Sequence, residues 1–352
     1  MDEHALRRIL EGGGGRFGAA LRAGLWLPGK LYGFAMALRF AAYRRGWLAS
    51  VRPPLPLVSV GNLTAGGSGK TPTVMLLARE LAARGRRPGI LLRGYRPDAA
   101  GRSDEEELYR RLCPGIVVRA GKDRLAQAGL ARADGADVLL LDDGFQHFRL
   151  ARNLDLALVD ATSPWGGGNC LPGGLLREFP AALARAGVVL ITRSDQRDPA
   201  FIRELRGEVA RLAPKARIFA ARHRPIRLYR LGGDELTLEA LRGREVAALS
   251  GIARPEAFHA TLAGLGAKVV LSFVGADHAD FGREYVARAI AAADQRGAPL
   301  ILTEKDAGKN VFAEMADINS GWKKNLWVLG VVQEIDSLPE LLEMVEKAIA
   351  GG

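Results

Sequence analysis

A glycine-rich stretch in the first third of the chain has the residue types and spacing of a phosphate-binding loop. It reads VGNLTAGGSGKTP over residues 60–72. The strict pattern is G-x-x-x-x-G-K-[ST]; here the ending Gly-Lys-Thr matches, and Thr64 replaces the first glycine. In such loops backbone N–H groups surround phosphate oxygens, the lysine reaches the outer phosphates and the hydroxyl binds Mg²⁺. The stretch therefore predicts a site for a nucleoside triphosphate, in which Thr71 binds the metal. The predicted nucleotide-binding residues are Thr64, Ala65, Gly66, Gly67, Ser68, Gly69, Lys70 and Thr71. A glycine-rich turn without a ligand is the alternative.

Two adjacent carboxylates follow a second apolar run. The segment ADVLLLDDGFQH places Asp142 and Asp143 directly after that run. Neighbouring carboxylates repel each other unless a cation or hydrogen-bond donors compensate, and phosphate-loop enzymes hold Mg²⁺ with an aspartate at such a position. We predict that both residues are metal ligands. An Asp–Gly turn would explain Asp143 but not the pair together with Gln146 and His147.

The elements around these motifs predict an α/β fold. Short runs rich in Val, Leu and Ile alternate with helical patterns, which is typical of a mainly parallel sheet flanked by helices, as in phosphate-loop NTPases. Ligands of such sheets bind beyond the carboxyl ends of the strands, where both motifs lie. We expect strands over 55–62, 88–95, 115–121, 136–144, 155–161 and 186–195, and a second series over 244–252, 267–275, 299–306 and 326–335.

Three segments follow from this pattern. Residues 1–50 are predicted to be a membrane-associating helical segment, 51–222 the phosphate-loop core, and 223–352 a smaller α/β lobe whose last strand or helix can return to the core. The arginine-rich stretch 223–243 is expected to be the crossing between the two lobes.

The first 50 residues combine basic, aromatic and apolar side chains. They carry eight basic and three acidic residues, and the stretch GLWLPGKLYGFAMALRFAAYRRGWLAS has no uncharged run of the roughly 20 residues that span a bilayer. Such a helix suits the interface of an anionic membrane; packing on the protein body is the alternative.

Charge and cysteine content limit the function classes. The net charge of +11 suits polyanionic or phosphorylated partners, although arginine-rich composition alone also produces it. Aromatic residues make up only 7% and no nucleic-acid-binding motif occurs, so we expect no nucleic-acid partner. Two cysteines form no disulfide framework and have no metal-site spacing, which fits a reducing compartment.

Taken together, the motifs resemble the tetraacyldisaccharide 4'-kinase family of lipid A biosynthesis. They are GNLTAGGSGKTP at 61–72, RGY at 93–95, DDGFQH at 142–147, LPGGLLRE at 171–178 and TEKDAGK at 303–309. The resemblance implies transfer of the γ-phosphate of ATP, with Mg²⁺, to the 4'-hydroxyl of a tetraacylated disaccharide 1-phosphate. It also implies a peripheral enzyme at the cytoplasmic face of the bacterial inner membrane.

The resemblance further implies roles for individual residues. Asp104 of the SDEEE stretch would be the base paired with His278 of GADHADF, Lys70 would act in catalysis, and Glu105 would bind the metal. This chain has Arg102-Ser103 before the acidic pair and lacks the proline that follows it in the family, so the register can shift by one or two positions. Glu304, Lys305 and Asp306 would lie near the nucleotide. The acceptor would be bound by Arg93, Tyr95, Arg124, Gln146, His147 and Arg177.

Two other classes remain as alternatives. A phosphate-loop ATPase or GTPase with water or another acceptor would hydrolyse nucleotide without the lipid. A nucleic-acid-binding protein would require signatures that this sequence lacks.

Overall fold

The computed structural model describes residues 3–94, 103–231, 233–252, 254–275, 281–309, 311–312 and 325–351; the side chains of Glu3, His4 and Asp104 are not described. The chain divides into two compact units. The first comprises Met1–Arg222 with Gln333–Gly352, and the second comprises His223–Val332. Both boundaries between the units fall within strands, the first within Arg217–Arg230 and the second within Leu326–Ile335.

The first unit contains a parallel sheet. Its strands are β1 (Leu57–Asn62), β2 (Pro88–Leu92), β3 (Val117–Ala120), β4 (Val138–Asp142), β5 (Leu154–Asp160), β6 (Val188–Thr192) and the start of β7 (Arg217–Arg230). They lie in the order β7-β6-β5-β1-β4-β2-β3, and every neighbouring pair is parallel. The carboxyl ends of β1 and β4 therefore lie side by side at one edge.

Helices cover both faces of this sheet, which explains why its strands are continuous apolar runs. They are α3 (Lys70–Ala83), α4 (Asp104–Leu112), α5 (Arg124–Ala133), α6 (Pro199–Leu212) and α10 (Leu338–Ala350). On β4, Leu140 packs with residues of α3, α4 and α10. Its neighbours Leu139 and Leu141 point to the opposite face and pack with α5. The predicted α/β class and mainly parallel sheet are confirmed.

Two helices precede the sheet. α1 (Glu3–Leu10) is short, and α2 (Gly15–Arg44) is long and contains Pro28. The buried residues of α2 are the glycines Gly18, Gly29 and Gly33. A Cβ on Gly33 would lie 2.5 Å from the ring of Phe179, so α2 approaches the body of the unit along a face without side chains. Within the described residues, no helix has both the length and the apolar content needed to cross a membrane.

The second unit contains a further series of paired strands. Its remaining strands are β8 (Glu235–Leu236), β9 (Glu245–Ser250), β10 (Lys268–Val274), β11 (Leu300–Thr303) and β12 (Leu326–Ile335). The order is β10-β9-β11-β12-β7, with β8 antiparallel to β7. Helices α7 (Pro255–Gly264) and α8 (Arg283–Gln295) bury apolar residues against it, and α9 (Glu304–Ala307) follows β11.

Strand β7 was not expected from the sequence. Its residues RIFAARHRPIRLYR alternate between partly buried and exposed, with few of them fully buried. Arginines occupy many of the exposed positions of β7, so it lacks the continuous apolar run by which the other strands were predicted. The stretch assigned to the crossing between lobes thus continues a strand.

Candidate functional site

The glycine-rich stretch forms the turn between β1 and α3. Gly66 and Gly69 adopt left-handed backbone conformations, with φ of 102° and 93°. α3 begins at Lys70, so the turn leads into a helix N-terminus, where backbone N–H groups attract anions. Asn62, the last residue of β1, donates to the Thr64 carbonyl at 2.8 Å and accepts from Lys70 Nζ at 3.3 Å. The eight residues predicted to bind nucleotide therefore lie in this loop and in the first turn of α3.

The LPGGLLRE segment holds the first half of this loop. Thr64 pairs with Leu176 in an antiparallel bridge, and Ala65 N–H donates to the Leu175 carbonyl at 2.7 Å. Arg177 N–H donates to the Leu63 carbonyl at 2.6 Å. Thr64 is not among the residues with positive φ, so a glycine is not required at that position.

The second half of the loop is held from the carboxyl ends of β5 and β6. Thr192 Oγ1 donates to the Ser68 carbonyl at 2.8 Å, and Arg193 Nη1 donates to the Gly67 carbonyl at 3.0 Å. Arg193 also forms a buried ion pair with Asp160. The carbonyls of Gly67 and Ser68 thus point toward Arg193 and Thr192, respectively. Sequence reasoning missed this anchor; its only signal was the polar Thr-Arg-Ser-Asp run after an apolar strand.

The two adjacent aspartates lie at the end of β4, beside the loop, and their carboxylates have different partners. Asp143 has a φ of 53°, which turns its backbone sharply after Asp142. Its Oδ1 lies 3.5 Å from Lys70 Nζ, and both of its oxygens accept from Arg177 Nη1 at 2.8 Å. Burial alone would raise the pKa of Asp143, but Lys70 and Arg177 lower it to about 2.

Asp142 lies deeper and is paired with a tyrosine of α4. Tyr109, fully buried, donates to Asp142 Oδ2 at 2.7 Å and hydrogen-bonds with the Thr71 side chain. Burial raises the pKa of Asp142. Burial, followed by the charges of Asp142 and Glu105, raises the pKa of Tyr109, which stays protonated as a donor. Asp142 Oδ1 is buried and has no side-chain hydrogen-bond partner among the described residues.

Of the residues implied for acceptor binding, Arg124, Gln146 and Arg177 already form side-chain hydrogen bonds with protein groups. Gln146 Nε2 donates to the Asn62 carbonyl and to Glu178 Oε1, both at 2.9 Å. Burial, together with the nearby charge of Arg93, lowers the pKa of Arg124. Burial and the surrounding guanidinium groups, Arg124 foremost, lower the pKa of His147 to about 4, so its imidazole is neutral at pH 7.

The implied base pair is not placed by the structure. His278 and Tyr95 lie outside the described residues, and the side chain of Asp104 is not described. α4 starts at Asp104, and Ser103 Oγ caps it by accepting from Glu106 N–H at 3.3 Å. The acidic run is therefore a helix start, which carboxylates favour.

The TEKDAGK motif lies in the second unit and has clear structural contacts. Asp306 is fully buried; its Oδ2 accepts from Gly251 N–H at 3.0 Å and from Thr303 Oγ1 at 2.7 Å. Lys309 Nζ lies 3.0 Å from its other oxygen, and Glu304 accepts from Arg227. These contacts tie the end of β9 to the end of β11.

Comparison with known proteins agrees with the motifs. The family model described as tetraacyldisaccharide-1-P 4'-kinase matches residues 21–350. The tetraacyldisaccharide 4'-kinase of Anaeromyxobacter sp. (strain Fw109-5) is 43% identical over 319 residues, covering 85% of each chain. That of Geobacter metallireducens is 38% identical over 309 residues, covering 82% of this chain and 88% of the relative.

A solved structure extends the similarity to the whole fold. The crystal structure of LpxK from Aquifex aeolicus in complex with ATP has a TM-score of 0.68 and 27% identity, over 94% of this chain and 99% of that one. A family match over most of the chain, relatives above 30% identity and the loop geometry agree. This chain belongs to the tetraacyldisaccharide-1-P 4'-kinase family.

Proposed function

We propose that this chain transfers the γ-phosphate of ATP to the 4'-hydroxyl of a tetraacyldisaccharide 1-phosphate. The observation that supports this most directly is the loop Thr64–Thr71, with Lys70 and the β4 carboxylates beside it, in a member of this kinase family. Phosphoryl transfer depends on positioning and charge stabilisation, and the loop, a lysine and helix α3 supply positive potential for that task.

Mg²⁺ fits the oxygen donors at this edge. Mg²⁺ in kinases is bound by one or two carboxylates or hydroxyls together with nucleotide phosphates. The buried Asp142 Oδ1 without a side-chain partner and the Thr71 hydroxyl, both next to Tyr109, provide such donors. The described residues contain no group of three or more acidic, His or Cys side chains suited to a metal, so the nucleotide would complete the coordination. Glu105 and Asp143 are the further proposed ligands; Asp143 already pairs with Lys70 and Arg177.

The remaining catalytic roles rest on the resemblance. Asp104 would accept the acceptor hydroxyl proton, with His278 orienting it, and Lys70 would hold the outer phosphates. Arg93, Tyr95, Arg124, Gln146, His147 and Arg177 would bind the acceptor. A neutral His147 can accept or donate a hydrogen bond to a sugar hydroxyl without adding charge.

Helix α2 supports an enzyme docked on an anionic membrane surface. Its glycine face packs inward, while Leu31 and Phe34 are 62% and 59% exposed. Lys30 lies 5.6 Å from the Trp26 ring centroid, so a cation and an aromatic ring share this surface, as in interfacial helices. An acceptor with four acyl chains resides in a bilayer, and we place the enzyme at the cytoplasmic face of the bacterial inner membrane.

The kinase proposal is tested with ATP labelled at the γ-phosphate and the disaccharide 1-phosphate in detergent micelles. We expect Mg²⁺-dependent labelling of the acceptor, lowered by orders of magnitude in Lys70→Ala and in Asp104→Ala. Release of labelled phosphate at the same rate with and without the acceptor would instead support the alternative, an ATPase that uses water.

Membrane docking is tested by sedimentation with vesicles containing anionic lipid. The double variant Leu31→Glu/Phe34→Glu should lose binding. The control Leu130→Glu changes an apolar residue on α5 that is 47% exposed and should bind like the unmodified chain. Equal sedimentation of all three proteins would refute docking through α2.

A further inference from the structure

An arginine of helix α1 lies against the phosphate-binding loop. A Cβ built on Gly66 would lie 2.9 Å from both Cζ and Nη2 of Arg7, with Nη1 nearer still. The guanidinium group thus occupies the space beside Gly66 that a side chain would need. The Arg7 side chain is only 15% exposed, so it lies within the fold rather than in solvent.

Packing and hydrogen bonds fix the position of helix α1, which carries Arg7. Ile9 and Leu10 are buried. Arg22 Nη1 on α2 donates to the carbonyls of Ile9 and Gly13 at 2.6 and 2.7 Å, which satisfies one of the last carbonyls of α1. The Leu10 carbonyl lies where a Cβ on Gly167 would be, so α1 also packs closely on the loop before LPGGLLRE.

This helix lies outside the part of the chain that matches the family model, which begins at residue 21. The phosphate loop, Lys70 and the β4 carboxylates all lie inside the matched part. Arg7 therefore adds a cation to the loop that the family pattern does not specify.

A guanidinium group at this position has a clear chemical use. It presents planar, paired N–H donors that match phosphate oxygens and remains charged at any working pH. The carboxylate of Glu11, one residue after α1, lies 3.5 Å from Nε of Arg7, and Nη1 and Nη2 lie next to Gly66. During phosphoryl transfer, negative charge spreads over the oxygens of the transferred group, and an arginine that contacts them lowers the barrier.

We propose that Arg7 is a catalytic residue that contacts the transferred phosphoryl group of a nucleotide held by the loop. This inference rests on the proposed function. In the step, the bond from the γ-phosphorus to the bridging oxygen of ADP breaks and a bond to the acceptor oxygen forms. The acceptor proton leaves to the base, and Arg7 remains charged throughout.

The test compares Arg7→Ala and Arg7→Lys with Arg8→Ala, a control on the exposed side of the same helix. With saturating substrates we expect kcat to fall about 100-fold in Arg7→Ala, less in Arg7→Lys, and not in Arg8→Ala. Millimolar guanidinium chloride, matched with sodium chloride, should restore part of the lost kcat in Arg7→Ala, because the free ion can occupy the vacated position. A helix-packing role would not be rescued in this way.

A binding measurement without the acceptor separates this inference from the proposed function. Arg7→Ala should weaken ATP binding about tenfold more than ADP binding, as measured by calorimetry, while the melting temperature shows whether α1 stays docked. If the unmodified chain binds ATP but labels no acceptor, the proposed function fails while the ATP-to-ADP comparison still decides the role of Arg7. Unchanged or increased kcat in Arg7→Ala, equal losses for ATP and ADP, or a lower melting temperature without rescue would each overturn it.

Discussion

Replacing Arg193 with methionine should separate the stability of the first unit from its hold on nucleotide. Arg193 contacts the buried carboxylate of Asp160 and the Gly67 carbonyl in the phosphate loop. Methionine keeps much of the side-chain volume but removes the Arg193–Asp160 ion pair. The Gly67 carbonyl loses the Arg193 donor that helps to orient the loop.

The size of each effect follows from these contacts. Removing one partner of a buried ion pair costs about 3–5 kcal/mol. Asp160 Oδ1 still accepts from the Thr162 hydroxyl and N–H at 2.6 and 3.0 Å, which places the loss at about 3 kcal/mol. At about 2–4 °C per kcal/mol, the melting temperature should fall by about 6–12 °C. The lost hydrogen bond from a charged donor is worth about 1.5 kcal/mol or more, so ATP binding should weaken about tenfold.

The double variant Arg193→Met/Asp160→Asn distinguishes the two contacts. A neutral amide at 160 keeps its acceptor for Thr162 and no longer needs a cation, so thermal unfolding should recover most of the lost stability. ATP affinity, measured by calorimetry, should stay about tenfold weaker because the Gly67 carbonyl still lacks the Arg193 donor. If affinity returns together with the melting temperature, the contact to Gly67 does not orient the loop and the reasoning is refuted.

Three further predictions concern single residues. Asp142→Asn should abolish phosphoryl transfer yet raise the melting temperature of the ligand-free protein by about 2 °C or more. Burial raises the pKa of the Asp142 carboxylate, so its ionised form destabilises the folded state at neutral pH. An unchanged or lower melting temperature would contradict this. The pKa of His147 is about 4 in the folded protein against an ordinary 6.5, so the unfolded chain binds more protons between these pH values and the folded state loses stability as the pH drops from 6.5 to 4. The variant His147→Gln should flatten this part of a curve of unfolding free energy against pH. An identical slope would argue against a buried neutral imidazole. Gly33→Ala should destabilise the protein by about 1–3 kcal/mol, because its Cβ would meet Phe179 and Cys170. Gly24→Ala, with open space around it, should stabilise α2 by about 0.5 kcal/mol. Equal effects of the two variants in urea unfolding would refute close packing of α2 through its glycine face.

Several parts of the site could be predicted from short stretches of sequence. The loop between β1 and α3 and the aspartates after β4 follow from apolar runs that end in polar motifs. Each depends on contacts between residues close in the chain, and parallel strands bring such ends to one edge. The mixture of basic, aromatic and apolar residues in α2 was likewise visible in the sequence.

Other parts depend on residues far apart in the chain. Leu176 pairs with Thr64, and Arg193 reaches Gly67, across more than a hundred residues. Strand β7 was hidden because its arginines interrupt the apolar pattern. No local pattern indicates which carbonyl a distant arginine will meet, since that is decided by how the elements pack.

The amino-acid sequence alone specifies the chemistry available here: a loop for phosphates, a lysine and paired carboxylates, and a basic apolar helix. Their arrangement was decided by folding. Tyr109 came to lie on Asp142, Asp143 between Lys70 and Arg177, and Arg7 against Gly66. Side-chain type sets what a group can donate or accept, whereas burial and neighbours from other elements set its partner, its pKa and hence its use.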